Sequence, residues 1–386
     1  MRYPFARRGR AAALMLAPVL AACATEPLPA QQTQSTEHHA FRTVTVVEGL
    51  ENPWGLAFLP SGDMLVTERP GRLRLIRNGQ LQAEPIAGVP AVFARGQGGL
   101  LDVVLHPQYA SNQLVYLSFS KPGDDGNATT AVVRGRFDGT RLNDVEEIFE
   151  ADAYRNRGQH YGSRLAFDRD GYLYVTVGDR GHNPHTDDHD AQNLSNHPGS
   201  VQRLHDDGRV PADNPFVGRA GAQASIFTYG NRNAQALAMH PATGQMWATE
   251  HGARGGDELN LLQAGRNYGW PIITHGVNYN GQEIGVGREA PGMEQPVSFW
   301  VPSIATSGMA FYTGNRFPSW AGDLFVGGLA GQQLVRLRLD GTNVVEREVV
   351  LAETGRVRDV RTGPDGFIYL LIDASDGRMS RLEPAG

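Results

Sequence analysis

The sequence predicts an all-β fold, a six-bladed β-propeller of four-stranded antiparallel blades, and three observations lead to it. A unit made of a short apolar strand, a turn rich in proline, aspartate and glycine, and a second alternating strand occurs six times. The chain contains 47 glycines among its 386 residues, which is typical of a protein with many turns. No long segment has the apolar period of an amphipathic helix, so helical and doubly wound folds are disfavoured. Six short-stranded units in one large domain match the propeller architecture.

Each of the six units is justified by its own apolar alternation and tight turn. In the third unit, an Asp-Arg-Asp-Gly turn at residues 168–171 joins an apolar strand to the alternating run 172–177. Turns of the Asp-Gly and Pro-x-Gly kind predict hairpins between buried or half-buried strands. In chain order, the units cover residues 55–76, 101–119, 165–181, 237–250, 309–337 and 360–382. Two long polar segments, 181–224 and 276–299, interrupt the series, and we expect such loops to gather on one face and build a site there.

The first 22 residues are predicted to be a lipoprotein signal peptide. Four arginines surround the start of a short apolar segment at residues 11–20, which is too short to span a bilayer as a helix. The sequence Leu-Ala-Ala-Cys at residues 20–23 resembles a bacterial lipobox, in which the cysteine becomes the lipidated first residue. The alternative is that Cys23 belongs to an ordinary export signal and is not a lipidation site. No aspartate follows Cys23, so we expect an anchor in the outer membrane that faces the periplasm.

The composition restricts the partners of the remaining chain. Cys23 is the only cysteine, so no disulfide framework is expected. Residues 23–42 are rich in Gln, Thr, Pro and Ala and are predicted to be a flexible tether, with the propeller domain at 43–386. Loss of residues 1–22 removes four arginines and no acidic residue, which takes the formal net charge from −6 to −10. This net negative charge disfavours nucleic acid as a partner, and we expect membrane contact through the lipid anchor alone.

A histidine and an aspartate flank the hairpin of the third unit. His160 precedes its first strand, and Asp179 follows its second strand. Because a hairpin brings these two ends together, the pair is a candidate general base with its orienting carboxylate. The alternative is that His160 caps a strand and Asp179 belongs to a turn.

Further polar clusters lie where other units begin. Gln97 stands among glycines, where the backbone can approach a ligand closely. Arg232 and Asn233 lie in an Asn-Arg-Asn segment just before a strand. Arg356 and Arg358 are two residues apart in an extended segment and therefore point the same way, which favours a multiply charged anion such as a polycarboxylate. A solvated strand edge is the alternative for this arginine pair.

Two segments contain groups of the kinds that bind metal ions in proteins. The glycine-rich segment 250–260 offers carboxylates and free carbonyl oxygens, which suit a hard cation such as calcium, although it is not an EF-hand loop. The insertion 181–224 contains histidines and aspartates without clean tetrahedral spacing, so a solvated loop is favoured over a metal site there. These residues are His182, His185, Asp187, Asp188, His189 and Asp190.

Taken together, the motifs resemble the soluble quinoprotein glucose/sorbosone dehydrogenases, in particular the bacterial aldose sugar dehydrogenases that use pyrroloquinoline quinone (PQQ). The matching segments are His-Tyr-Gly-Ser-Arg-Leu, Gly-Asp-Arg-Gly, Gly-Asn-Arg-Asn, Asp-Glu-Leu-Asn and Arg-Val-Arg-Asp, and they occur in the family's order. The resemblance covers residues 52–382. It implies a six-bladed propeller that oxidises aldoses at C1 to lactones by hydride transfer to PQQ. It also implies an electron acceptor, which is a quinone, a cytochrome or a dye, and a monomer or homodimer.

The resemblance also implies roles for individual residues. His160 is the implied general base, Asp179 holds its imidazole, and Arg232 stabilises the charge that develops on the quinone. Cofactor contacts are implied for Gln97, His160, Arg232, Asn233, Tyr279, Arg356 and Arg358.

Calcium is implied at two places. One ion bridges PQQ and the backbone carbonyls at Gly252 and Ala253, and a structural ion matches Glu258 and Tyr268. Ala253 replaces a proline of the glucose-oxidising relatives. Ala330 stands where relatives have a lysine near the cofactor, and the chain's single lysine is Lys121. Either the arginine pair compensates for this loss, or the affinity for PQQ is lower.

Two other function classes compete with this assignment. A calcium-dependent propeller hydrolase of the lactonase type also uses a central metal, but it has no need of an arginine pair suited to a polyanion. Dependence of the activity on an electron acceptor distinguishes the two enzymes. A lipid-anchored propeller scaffold without catalysis is the third hypothesis, because this fold hosts many binding modules. The preferred aldose is not determined by the sequence.

Overall fold

The structure, a computed structural model, describes residues 33–182 and 188–385. Six antiparallel sheets are arranged around a central channel, which confirms the predicted six-bladed propeller. Helix is confined, within the described residues, to α1 (Tyr109–Asn112) and three short 3₁₀ segments at Asp124–Gly126, Asp190–Gln192 and Pro318–Trp320. None of the helices in these residues is long and apolar enough to cross a membrane.

The strands follow one another from blade to blade in chain order. Two strands precede the first complete blade: β1 (Gln34–Ser35) and β2 (Ala40–Leu50). Blade 1 consists of β3 (Pro53–Phe58), β4 (Met64–Glu68), β5 (Arg72–Arg77) and β6 (Gln80–Leu81). Blade 2 consists of β7 (Leu100–Leu105), β8 (Leu114–Pro122), β9 (Ala128–Phe137) and β10 (Leu142–Glu150). Blade 3 consists of β11 (Leu165–Phe167), β12 (Leu173–Val177), β13 (Ser200–Leu204) and β14 (Ile226–Tyr229).

The second half of the chain repeats the pattern. Blade 4 consists of β15 (Ala234–Met239), β16 (Met246–Glu250), β17 (Asp257–Leu261) and β18 (Ser298–Trp300). Blade 5 consists of β19 (Thr306–Phe311), β20 (Leu324–Gly328), β21 (Gln333–Asp340) and β22 (Asn343–Leu351). Blade 6 consists of β23 (Val357–Thr362), β24 (Ile368–Ile372) and β25 (Gly377–Pro384), completed by β2 and the short β1. The first strand of each blade lies innermost and contacts its neighbours around the channel.

The two ends of the propeller chain close the ring. Strand β2 pairs with β25 in antiparallel register, with Phe41 opposite Pro384 and Leu50 opposite Gly377. Phe41 is fully buried, and its ring lies 5.9 Å from that of Trp320. The predicted boundary at residue 43 is therefore wrong by a few residues, because the end of the 23–42 segment already belongs to the sheet. The predicted signal peptide 1–22 and Cys23 lie outside the described residues, as do His185 and Asp187.

Polar side chains close the turns that the sequence predicts. In blade 3, Asp168 Oδ1 accepts hydrogen bonds from the backbone N–H groups of Asp170 and Tyr172, at 3.0 and 2.9 Å. Such a bond mimics a backbone turn, which is why aspartate is favoured at this position. The turn sets the register of β11 on β12, where Leu165 faces Val175.

The hydrophobic core is divided among the blade interfaces. Six clusters of buried side chains each join two neighbouring blades, so that every blade is apolar on both faces. Between blades 1 and 2, for example, Leu65 and Leu73 pack with Val103 and Leu117, and all four are completely buried. Burial of such a side chain contributes roughly 1.5–3 kcal/mol. This packing fixes the relative positions of the loops that form the site.

A charged network lies across the central channel. Arg164 Nη1 donates to Asp102 Oδ1 and Asp359 Oδ1, each at 3.0 Å. Arg361 contacts the same two carboxylates at 3.3 and 3.0 Å. These residues come from blades 2, 3 and 6, so they can meet only across the axis. The buried Arg164 and the partly exposed Arg361 compensate two buried aspartates, and Trp54 covers Arg164 at 4.1 Å.

Candidate active site

The predicted base, its carboxylate and Arg232 lie at one end of the inner strands. His160 and Arg232 precede the first strands of blades 3 and 4, whereas Asp179 follows the second strand of blade 3. In an antiparallel hairpin the start of the first strand and the end of the second strand are neighbours. Since all six blades have the same orientation around the channel, these positions share one face of the propeller. The structure thus brings together residues that are far apart in the chain.

His160 and Asp179 form a buried hydrogen-bonded pair. The distance between His160 Nδ1 and Asp179 Oδ1 is 2.6 Å, and only 8% of His160 is exposed. His160 has a left-handed backbone with a φ of 52°, which is uncommon outside glycine and typical of constrained functional positions. Gly178 permits this loop, because a Cβ there would lie 2.2 Å from the His160 carbonyl oxygen. The geometry favours the catalytic interpretation over that of two turn residues.

Electrostatics keep the imidazole neutral and the aspartate charged. Burial lowers the pKa of His160, Asp179 opposes this shift, and Arg232 adds to it. Burial alone would raise the pKa of Asp179, but His160 and Arg232, together with the N–H of Gly181, hold it below its ordinary value. The carboxylate therefore accepts the Nδ1–H of His160. This leaves Nε2 of the neutral imidazole to act on a molecule in the cavity that His160 lines.

Arg232 and Asn233 lie beside this pair. Arg232 Nη1 donates to the carbonyl oxygen of Gly252 at 2.5 Å, and Nη2 lies 3.5 Å from the hydroxyl of Tyr279. Asn233 is completely buried, and its Oδ1 accepts the N–H of Gly162 at 3.0 Å. The Nδ2 of Asn233 has no hydrogen-bond partner among the residues that the structure describes. An unpaired buried donor is costly. Gly162 and Gln235, which both donate to Asn233 Oδ1, line the arginine cavity described below.

Two neighbouring cavities open at this face. The arginine cavity has a volume of about 220 Å³ and is lined by Trp54, Gln97, Leu101, Tyr161, Gly162, Gln235, His251, Ala305, Leu329, Arg356 and Arg358. The histidine cavity has a volume of about 290 Å³ and is lined by Arg157, Gln159, His160, Asp179, Gly181, His182, Arg232, Ala253, Trp270, Asn278 and Tyr279. Gln97 connects them, because its Oε1 accepts the backbone N–H of His160 at 2.8 Å.

The arginine pair lies as the extended segment predicts. Both Arg356 and Arg358 line the arginine cavity, and each approaches Asp373 Oδ2 at 3.5 Å. Arg358 is buried and also donates to Gln235 Oε1 at 3.0 Å, whereas its Nε has no partner among the described residues. Burial lowers the pKa of Arg358 to about 10, so its side chain is still a cation at neutral pH. One carboxylate faces two arginines, which leaves this wall positively charged.

The segment proposed for a cation carries two close acidic groups. Burial, followed by the charge of Glu250, raises the pKa of Glu258 well above its ordinary value. Asn260 Nδ2 donates to both carboxylates, at 3.0 and 3.2 Å. Tyr268 lines the same small cavity, but its hydroxyl is already bonded to the Leu261 carbonyl at 2.5 Å. The buried Glu250 and the half-buried Glu258 lie close together, and their carboxylates are a suitable donor set for calcium.

The sequence assigned no individual role to three residues of the site, of which Glu250 lies in the segment 250–260 proposed for a cation. Trp270 Nε1 donates to Asp179 Oδ2 at 2.8 Å, Glu250 bonds Asn231 and the Arg232 backbone, and Asp373 faces the arginine pair. A repeated signal could have identified the acidic residues. An acidic residue closes the second strand of several units, as at Glu68, Asp179, Glu250 and Asp373. Trp270 carries no such signal, because its contact depends on the long loop that follows β17.

Comparison with known proteins identifies the family. The profile of the glucose/sorbosone dehydrogenase family matches residues 50–381. Aldose sugar dehydrogenase YliI of Escherichia coli (strain K12) is 45% identical over 341 residues, which cover 87% of this chain and 91% of that protein.

Two solved structures support the same assignment. The apo form of the soluble aldose sugar dehydrogenase from Escherichia coli superposes with a TM-score of 0.86 and 43% identity, over 89% of this chain and 100% of that one. The PQQ-bound form of an aldose sugar dehydrogenase from Streptomyces coelicolor superposes with a TM-score of 0.71 and 28% identity, over 89% and 98% of the two chains. The resemblance drawn from the motifs is thereby confirmed, and the chain belongs to the glucose/sorbosone dehydrogenase family.

Proposed function

We propose that this protein oxidises aldose sugars at C1 to lactones, with PQQ as the hydride acceptor and calcium as the metal. The observation that carries the proposal is the buried His160–Asp179 pair, whose Nδ1–Oδ1 distance is 2.6 Å, next to a cavity lined by two arginines. A base and an anion-binding wall in adjacent cavities suit a sugar that reacts beside a polycarboxylate cofactor. Relatives with the same fold include a PQQ-bound aldose sugar dehydrogenase.

His160 takes the proton of the anomeric hydroxyl in this proposal. Its Nε2 receives the proton as the C1–H bond is broken, so the imidazole becomes an imidazolium. Asp179 stabilises that cation and holds the ring in the tautomer that leaves Nε2 unprotonated beforehand. Trp270 and the backbone of Gly181 in turn fix the carboxylate, at 2.8 Å each. When bound, PQQ would accept the hydride from C1.

The residues around the arginine cavity fit a planar ligand with several carboxylates. Arg356 and Arg358 supply cations on one wall, and Arg358 Nε and Asn233 Nδ2 are buried donors without partners in the described residues. Arginine is well suited to bidentate recognition of carboxylates. We assign Gln97, His160, Arg232 and Tyr279 to the remaining cofactor contacts, because they line or join the two cavities.

Calcium is proposed for the segment that follows β16. The carbonyl oxygens of His251 and Gly252 accept from the Arg232 guanidinium, at 3.3 and 2.5 Å, and the next residue, Ala253, lines the histidine cavity. We assign one ion to the carbonyls of Gly252 and Ala253 near the cofactor, and a structural ion to Glu258 and Tyr268. The raised pKa of Glu258 supports the second assignment, because a bound cation would relieve the repulsion from Glu250.

Localisation and partners are proposed from the sequence alone. The lipobox-like segment ending at Cys23 supports an outer-membrane lipid anchor that holds the propeller in the periplasm. An oxidoreductase there must pass its electrons to a quinone, a cytochrome or, in the assay, a dye. A monomer or homodimer is expected.

Reconstitution of the purified apoprotein tests the function. We expect that PQQ with calcium restores dye-linked oxidation of aldoses, and that the absorbance of PQQ changes on titration. Activity that persists without an electron acceptor would instead indicate a hydrolase of the lactonase type. If PQQ neither binds nor supports turnover, the proposal is wrong. Turnover across a panel of mono- and disaccharide aldoses would then define the preferred substrate.

A further inference from the structure

The propeller repeats one position at the rim of the arginine cavity. Glu68, Glu250, Gly328 and Ile372 pair with the first residue of the inner strand in blades 1, 4, 5 and 6. The next residue in each chain segment therefore occupies an equivalent place at the site face. In blades 4, 5 and 6 this residue is His251, Leu329 or Asp373; the first two line the arginine cavity, and the third contacts both of its arginines. Blade 2 differs, because Phe119 pairs there with Leu100 and the next residue, Ser120, is buried and bonds to Phe93 and Gly99.

In blade 1 the equivalent residue is Arg69. Its backbone is held on both sides, since its N–H donates to the Asn52 carbonyl at 3.1 Å and its carbonyl accepts the Leu100 N–H at 3.2 Å. Its guanidinium donates to the carbonyl oxygen of Gly96, the residue before Gln97 in the cavity wall. Asn52 also donates to Asp373 Oδ1 at 3.0 Å, which ties this corner of the rim to the arginine pair.

Arg69 differs from the other arginines of its blade in having no acidic partner. Arg72 and Arg74 both contact Glu68, and Arg77 contacts Asp63. In the described part of the chain, Arg69 has no carboxylate oxygen within 4.0 Å, and its buried Nε has no hydrogen-bond partner. A partly buried cation that has no carboxylate in direct contact, and that shares the more distant Asp373 with two other arginines, is expected to attract an anionic ligand.

The electrostatics of the rim are consistent with this position. Burial alone would raise the pKa of Asp373. The contacts and charges of Arg358, Asn52, Arg69 and Arg356 outweigh this effect and hold the pKa below its ordinary value. Three arginines therefore share one carboxylate at this rim. The alanine at position 330, where the family resemblance implies a lysine, brings no charge of its own.

We propose that Arg69 is a third cofactor-binding cation, which pairs with a carboxylate of PQQ on the blade 1 side of the arginine cavity. The inference rests on the proposed function and deepens it. This positive charge would come from blade 1, at the rim position that His251 and Asp373 occupy in blades 4 and 6.

A binding titration with apoprotein, calcium and PQQ tests the role of Arg69 without relying on turnover. The variants are Arg69→Gln, Arg69→Lys and the matched control Arg77→Gln, whose guanidinium lies at the opposite end of the same blade against Asp63. We expect Arg69→Gln to bind PQQ about tenfold more weakly, and Arg69→Lys to retain most of the affinity. The dependence of Kd on salt should be shallower for Arg69→Gln than for the unmodified protein or the control, because one ionic contact is lost.

The outcomes separate the inference from the function on which it rests. If the unmodified protein binds PQQ and Arg69→Gln binds it within about twofold, Arg69 is not a ligand, whereas the proposed function stands. Weaker binding with an unchanged salt dependence would also overturn the ionic role. If the unmodified protein binds no PQQ, both the function and the inference are wrong. Equal melting temperatures of the variants show that a loss of affinity does not arise from unfolding, and Arg69→Lys keeps the test available if Arg69→Gln is unstable.

Discussion

Replacement of Asp179 by asparagine tests the catalytic pair most directly. Asp179 Oδ1 accepts from His160 Nδ1 at 2.6 Å and from the Gly181 N–H at 2.8 Å, while Oδ2 accepts from Trp270 Nε1 at 2.8 Å. Asparagine has only one acceptor oxygen for these donors. Its amide nitrogen must therefore face either the Trp270 N–H or Nδ1 of His160. In the second case the amide donates to Nδ1, so the proton of the neutral imidazole lies on Nε2, which cannot then act as a base.

The expected loss follows from the charge that stabilises the imidazolium. Unit charges about 4 Å apart interact by about 4 kcal/mol at an effective dielectric constant of about 20. That energy corresponds to about a 10³-fold change in rate, within the roughly 10²–10⁴-fold range of general base catalysis. We therefore expect Asp179→Asn to lower kcat by about 10³-fold and to leave PQQ binding nearly unchanged.

The pH profile provides a second readout. Burial lowers the pKa of His160 and Asp179 opposes that shift, so removal of the carboxylate lowers the pKa further. The base is active when neutral, and the acidic limb of kcat/KM should therefore move to lower pH in Asp179→Asn. The assay is dye-linked aldose oxidation at saturating PQQ, with Asp170→Asn in the exposed turn of the same hairpin as the control. A limb that moves to higher pH, or a loss of less than about tenfold, would refute the catalytic pair.

Three further predictions concern the base, the cation and the core. His160→Ala should lose about 10³-fold or more in oxidation rate while PQQ affinity, measured by titration, changes only a few-fold; unchanged turnover would instead support the non-catalytic scaffold. Calcium should raise the melting temperature of the unmodified protein and of the exposed control Glu48→Gln but not that of Glu258→Gln, and an equal rise in all three would exclude Glu258 as a ligand. Leu65→Ala in the fully buried interface of blades 1 and 2 should cost about 2–5 kcal/mol in urea unfolding, whereas the half-exposed Val345→Ala should cost much less.

The fold could be predicted from the sequence because the patterns that indicate it lie within short segments of the chain. The turn at residues 168–171 and the alternation of the following strand predict the hairpin of blade 3, which spans Leu165–Val177 in the structure. Repetition of the same local pattern six times determines the number of blades. The N-terminal boundary was misplaced, because the burial of Phe41 depends on β25 and Trp320, more than 270 residues further along the chain.

Part of the candidate site could be predicted from the sequence for the same reason. His160 and Asp179 belong to one hairpin, and Arg356 and Arg358 to one strand start, so spacing alone placed each pair together. Glu250 and Asp373 contact residues of their own hairpins, so the acidic residue repeated after the second strands could have assigned them to the site. Trp270 could not be assigned, because its contact with Asp179 depends on the long loop after β17. In the sequence, nothing distinguishes Arg69 from other charged residues at the ends of strands.

The sequence alone determined the repeat, the hairpins, the family motifs and the acidic balance, since each depends on residue type at short spacing. Only the tertiary structure decided which repeats face the same cavity and which charges are compensated there. The physical reason is that closure of the ring places Arg69, Asp373 and Arg358 at one rim, where their charges act on one another through a buried environment. An arginine that has no acidic partner can be recognised only after all of its spatial neighbours are known.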